Sequence, residues 1–163
     1  MKVCHVVYDL APGGYQRLLL DLLPCLMDSG VDAQVVCLTA SADLADSFAA
    51  RGIPVHRLDK SNGSPLGFLR SLRRTLGQLR PDVVQTHGFS AGLWGKVCSL
   101  GLATGRIETV HEEAGWMKPV RRKWIHRVCL PVTGRMVAVS QAVKTSLMER
   151  EGISEDRIVV IPN

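Results

Sequence analysis

Seven short runs rich in β-branched residues alternate with helix-patterned stretches along this chain, and that alternation restricts the fold more than any other feature. The runs are Val3–Tyr8, Ala33–Leu38, Pro54–Arg57, Asp82–Thr86, Arg106–Val110, Arg135–Val139 and Arg157–Ile161. Their apolar character is nearly continuous, as in strands covered on both faces. Between the first two, Leu18, Leu19, Leu22, Leu23 and Leu26 recur at helical spacing behind the turn signal Ala11-Pro12-Gly13-Gly14. Ser41–Arg51 predicts a helix capped by Ser41 and ended by Gly52. Phe68, Leu69, Leu72, Leu76 and Leu79 share one face of a further helix, with Arg70, Arg73 and Arg74 toward a wet, cationic other face. Ser90–Leu102 continues the pattern, Trp124, Ile125, Val128 and Cys129 form a short stripe, and Ser140 caps a helix that runs to about Glu151 before Gly152. Strands interleaved with helices, joined by right-handed crossovers, predict an α/β fold: a Rossmann-like, doubly wound parallel sheet of six to seven strands with helices on both faces.

At 163 residues the chain fits one domain. It contains no run approaching the roughly 18 apolar residues of a membrane span. His5 and Asp9 interrupt the first apolar run before it reaches signal-peptide length, which predicts cytoplasmic residence. The five cysteines lack any C-x-x-C spacing, so they predict reduced, mostly buried thiols and no metal site. The net charge of +5 is unevenly distributed. Residues 1–59 hold four Lys/Arg against seven Asp/Glu, whereas residues 60–135 hold thirteen against four. Such a distribution predicts a basic face built from neighbouring elements.

In a doubly wound sheet the working loops lie beyond the carboxyl ends of the strands. Here those loops carry Asp9–Gly14, His87-Gly88-Phe89-Ser90, His111-Glu112-Glu113 and Ser140-Gln141. Gly13 and Gly14 open a helix, where unpaired N–H groups favour an anionic or polyhydroxylated ligand and absent side chains let it approach. The spacing is neither G-x-G-x-x-G nor a phosphate-loop pattern, and the second strand ends without an acidic residue for a ribose. His87 and His111 stand where imidazoles could bind a hydroxyl or phosphate, or stabilise a developing anion, and Glu112 is a candidate general base. His5 and His56 fall inside strands and are read as packing or edge residues. Two readings remain at this point: an enzyme domain, or a non-catalytic flavodoxin-like phosphate-binding or sensory module.

Five segments add a family resemblance. They are Val6–Arg17 (with Ala11-Pro12-Gly13-Gly14), Pro81–Gly88, Thr109-Val110-His111-Glu112, Val137–Ser140 and Val159-Val160-Ile161-Pro162-Asn163. In this order they resemble the N-terminal domain of GT-B, retaining glycosyltransferases of the large family-four group. The resemblance implies that residues 1–163 are one half of a GT-B fold, the acceptor side, with a donor-binding C-terminal domain supplied separately. It implies transfer of a sugar from a nucleotide-diphosphate sugar to a hydroxyl acceptor, itself a sugar or lipid-linked, without metal or cofactor. It places Gly13 and Gly14 at the donor phosphates, His111 beside the transferred sugar, and His87 and Ser140 near the cleft. Glu112 and Gln16 complete the candidate substrate-binding set. Gln16 stands where the family usually has Glu, keeping a hydrogen-bonding carbonyl but losing the charge. The chain alone is expected to be inactive. Nucleic acid is not an expected partner, whereas the helix bearing Arg70, Arg73 and Arg74 and the segment Arg121–Arg127 predict peripheral contact with an anionic membrane.

Overall fold

The computed structural model describes residues 1–60, 64–111 and 133–163, together with Trp124 and Val128. Its strands are β1 (Lys2–Val7), β2 (Asp32–Cys37), β3 (Val55–Arg57), β4 (Val83–His87), β5 (Gly105–Val110), β6 (Arg135–Ala138) and β7 (Ile158–Val160). Among the described residues these form one parallel sheet in the order β3-β2-β1-β4-β5-β6-β7. The helices are α1 (Gly14–Asp28), α2 (Ala45–Ala50), α3 (Pro65–Leu79), α4 (Gly88–Ser99) and α5 (Gln141–Glu151). This is the expected doubly wound arrangement, and its strand order reverses between β1 and β4.

Alternation along the strands assigns each face its layer. Cys4, Val6, Val36 and Val84 pack with Phe68, Leu72 and Leu76 of α3 and with Ala91 and Cys98 of α4. Val7, Val35 and Cys37 point the other way, onto Leu19 and Leu23 of α1 and Phe48 of α2. Met136, Ala138 and Ile158 pack with Val143 and Leu147 of α5. As expected, the Ser140 hydroxyl caps α5 by accepting from the Val143 N–H at 3.1 Å, and Gly152 ends it with φ +70°.

Two helix starts differ from expectation. Helix α2 begins at Ala45, not Ser41, because backbone groups of residues 41 and 44 are committed to Leu10. The Leu10 N–H donates to Ser41 O, and the Leu44 N–H donates to Leu10 O. Helix α4 begins at Gly88, directly after β4, where a loop was expected. The positive φ of Gly88, +76°, turns the chain from strand into helix in one residue.

Helix α4 lies close against the sheet. A Cβ on Gly92 would fall 2.5 Å from Glu108 Oε1, and one on Gly95 would fall 2.5 Å from Thr86 Cγ2. Lys96 Nζ and Glu108 Oε2 meet at 2.5 Å, both side chains buried. The carboxyl end of α4 is satisfied by two arginines: Arg73 donates to Cys98 O and Leu100 O, and Arg106 donates to Ser99 O and Ser99 Oγ. The basic middle of the chain is therefore not one solvated face. Lys96, Arg73 and Arg106 hold α4 in place, whereas Arg70, Arg73 and Arg74 are all exposed, as expected of the cationic face of α3. Of the thiols, Cys4, Cys37 and Cys98 are buried and Cys25 is exposed, all four unpaired, and Cys129 lies outside the described residues. Trp124 and Val128 are helical and exposed, while Ile125 and Cys129 of the same expected stripe lie outside the described residues.

Candidate functional site

At the reversal of strand order, the carboxyl ends of β1 and β4 border a cleft of about 310 Å³. Tyr8, Asp9, Tyr15 and Gln16 line one wall and His87, Gly88, Phe89 and Ser90 the other. Gly13 precedes α1 in extended conformation, and no side chain caps the first turn of that 15-residue helix. Its leading N–H groups are therefore available at the cleft. Gln16 is buried and lies over Gly13, so that a Cβ there would collide with its amide oxygen. Its Nε2 donates to Asp9 Oδ1 at 2.9 Å, and the Ala11 N–H donates to the same oxygen at 3.3 Å. The residue that departs from the expected Glu thus braces the glycine loop, and Asp9 supplies a carboxylate beside it. A Glu in the same pose would set two carboxylates against each other.

Behind this loop, three histidines join across three strands. His5 Nδ1 lies 3.2 Å from His87 Nε2, and His87 Nδ1 lies 3.1 Å from His111 Nε2. Tyr15 stacks on His87 and His111, with ring centroids 6.2 and 5.1 Å away. His5, expected to be a packing residue, is the buried inner member of this chain, whereas His56 pairs at the β2–β3 edge with Gln34. Next to the histidines, Gln85 Nε2 donates to Thr109 Oγ1 at 2.9 Å on adjacent strands.

Burial sets the charge of this cluster. It lowers the pKa of His5 to about 4 and that of His111 to about 4. The pKa of His87 is held well below its usual value, by burial first and then by the neighbouring rings. Burial, reinforced by the charge of Asp9, raises the Tyr15 phenol. Near neutral pH the three rings are therefore neutral, which favours hydrogen bonding over cationic stabilisation. In the unfolded chain histidine titrates near 6.5, so between that pH and about 4 the unfolded state binds more protons. Stability should consequently be level above pH 6.5 and fall as pH drops below it, by ~1.4 kcal/mol per pH unit from His5 alone. Thermal melts at pH 7.5, 6.0 and 5.0 check this, and an unchanged midpoint would contradict it.

The family model for Glycosyltransferase Family 4 matches residues 12–163. The chain belongs to glycosyltransferase family 4. Its fold is similar to that of HepE from Anabaena, solved in complex with UDP, at 19% identity and a TM-score of 0.84 over 100% of this chain and 44% of that one. It is also similar to a glycosyltransferase from Rickettsia africae (20% identity, TM-score 0.80, 99% of this chain and 42% of that one). MurG of Acinetobacter baumannii gives 15% identity and a TM-score of 0.68 over 99% of this chain and 45% of that one. The chain thus spans less than half the length of each of these proteins. No curated protein sequence matches it.

In this family 4 domain the candidates His87 and Gln16 line the cleft, Gly13 lies against the Gln16 side chain, and Gly14 has open space around its Cα. His111 contacts His87 and Tyr15 but does not line the cleft itself. Ser140 follows β6, which pairs with β5, and its hydroxyl is engaged in capping α5. Glu112, Glu113 and the basic residues Lys118, Arg121, Arg122, Lys123 and Arg127 lie outside the described residues. Asp9, Tyr15 and His5 join the site without having been singled out by sequence. Beside Tyr8, Lys60 Nζ sits 5.7 Å from that ring and 4.8 Å from the Trp94 ring, placing a cation between two aromatic faces. Among the described residues no three His, Cys, Asp or Glu side chains are grouped so as to hold a metal ion.

Proposed function

We propose that this chain is the acceptor-side half of a retaining, metal-independent glycosyltransferase of hexosyl type. In this reading a hydroxyl of a sugar or lipid-linked acceptor attacks the anomeric carbon of a nucleotide-diphosphate sugar. The bond to the diphosphate breaks, and the nucleoside diphosphate departs with its electron pair while its leaving oxygen takes up the proton of the attacking hydroxyl. A following domain holds most of the donor. The observation that carries the proposal is the uncapped amino end of α1, which follows Gly13 and brings Tyr15 and Gln16 of its first turn to a cleft that His87 also lines. A helix terminus of that kind favours a diphosphate, and more so as charge accumulates on the leaving oxygen. Family membership favours this reading over a phosphate-holding sensory module.

His111, neutral at working pH, serves as a hydrogen-bonding group for the transferred sugar, strengthening as the transition state forms. In the complete protein, His111→Ala should lower kcat about 10²–10³-fold, the loss typical of one oriented polar group at a developing charge. Donor affinity should change far less, because the contact matters most in the transition state. Steady-state kinetics with donor binding measured separately tests this, and undiminished turnover would remove His111 from the site.

The acceptor side also docks against anionic membrane in this proposal, through the exposed Arg70, Arg73 and Arg74 of α3. Each cation near such a surface contributes about 1 kcal/mol before screening. Co-sedimentation with anionic vesicles should be lost at high salt, and binding indifferent to anionic lipid would rule the docking out.

A further inference from the structure

The three histidines occupy one face of the sheet in a rising diagonal. His5 is level with Gln85, the residue two before His87, and His87 is level with Thr109, the residue two before His111. Each ring therefore meets the next through one nitrogen of each, Nδ1 of His5 to Nε2 of His87 and Nδ1 of His87 to Nε2 of His111. A hydrogen bond needs one N–H and one bare nitrogen, and a neutral imidazole has one of each. Fixing the proton on any one ring thus fixes it on the other two. Only two arrangements satisfy both bonds: all three protons on Nδ1, or all three on Nε2. Any mixed arrangement sets two N–H groups or two lone pairs against each other in a buried site, where an unmade bond is most costly.

The two ends of the chain are His5 Nε2 and His111 Nδ1, and neither has a hydrogen-bond partner among the described residues. An apolar residue at position 5 would fill its place in β1 as Val3 and Val7 fill theirs. Histidine there brings a buried nitrogen without a partner, and what it gains is the bond to His87. Tyr15, stacked on the middle ring and on His111, holds them in the planes those bonds require. A neutral histidine side chain intrinsically favours its proton on Nε2, which selects the second arrangement.

We infer that His5 is a positioning residue: acting through His87, it keeps the proton of His111 on Nε2 and leaves His111 Nδ1 as a bare acceptor for a ligand hydroxyl. The part about a ligand rests on the proposed role of His111 beside a sugar; the proton linkage between the rings does not. It also gives the outer ring a defined polarity, accepting a proton or hydrogen bond at Nδ1 and not donating one.

Long-range ¹H–¹⁵N correlation spectra of the ¹⁵N-labelled chain at pH 7.5 distinguish Nδ1–H from Nε2–H for each ring. The expected result is Nε2–H on His5, His87 and His111 alike. Bonded rings with protons on unlike-named nitrogens would overturn the inference, and this measurement needs no variant. In His5→Phe, which keeps a ring but removes both nitrogens, the Nε2–H of His87 loses its acceptor. His87 and His111 should then acquire Nδ1–H signals absent from the wild-type spectrum. His56→Phe, remote from the chain of rings, should leave His111 unchanged. A folded His5→Phe with wild-type His111 signals would reduce His5 to a packing residue. Correct linkage together with undiminished transfer by His111→Ala in the complete protein would instead count against the transferase role of His111 alone.

Discussion

Produced on its own, this chain should fold and yet transfer sugar at least about 10⁵-fold more slowly than the complete protein. Folding is expected because the sheet is closed by helices from within the chain, and each described strand is hydrogen-bonded to its neighbours. Transfer requires more than the cleft between β1 and β4. That cleft is open and holds about 310 Å³, and its lining residues come from one domain. The proposed mechanism needs the diphosphate gripped on its far side while the acceptor hydroxyl is aligned with the anomeric carbon. Positioning of this kind contributes ~7–11 kcal/mol of barrier reduction, which converts to the rate loss expected. The similar structures, of which this chain covers 42–45%, leave room for such a second wall. A single assay comparing the chain alone, the complete protein and an equimolar mixture of separately made halves measures the effect. Transfer by the chain alone at a rate near that of the complete protein would overturn the two-domain mechanism.

The strands were legible from sequence to within a residue or two because their β-branched runs are bounded by Gly, Pro and Asp. The caps of α5 were legible because Ser140 and Gly152 act locally, within three or four residues of the groups they satisfy. What escaped were features whose partners are far apart in sequence. Arg73, exposed as expected, also reaches the carbonyls at the end of α4 across 25 and 27 positions, a contact with no local signal. The start of α2 depends on Leu10, more than thirty residues earlier. His5 is the most instructive case. A lone histidine in an apolar strand reads as packing, and only the strand order, which sets β1 beside β4 and β4 beside β5, aligns it with His87 and His111. That signal was available, since a doubly wound sheet brings its first and fourth strands together and alternation then puts the three rings on one face. The departure at Gln16 was visible as a missing charge, whereas its partner, Asp9, was visible only in three dimensions.

Glu108→Ala should destabilise the domain by about 3–5 kcal/mol, because it leaves Lys96 charged and unpaired in the interior. The Lys96 side chain is 5% exposed and that of Glu108 is 1% exposed, with Nζ and Oε2 at 2.5 Å. For a domain of this size each kcal/mol moves the melting midpoint by roughly 2–4 °C, so a loss of ~6–20 °C is expected. The pair is not an efficient source of stability, since its desolvation cost offsets much of the mutual attraction. Lys96→Met with Glu108→Met should therefore recover most of the loss, and a double-mutant cycle measures the coupling directly. If the single change cost under 1 kcal/mol, water would have to reach Lys96 in a way its burial does not allow. The pair also fixes where α4 sits. Gly92 admits the Glu108 carboxylate, Lys96 grips it one turn later, and the same helix starts at Gly88, immediately after His87. Glu108 in turn is three residues before His111 on β5. The bond between α4 and β5 thus ties the helix that follows His87 to the strand that precedes His111, so the doubly apolar variant, although folded, should show a weakened contact between those rings. Loss of the shared tautomer pattern in its ¹⁵N spectrum would reveal that weakening, and an unaltered pattern would confine the ion pair to a role in stability.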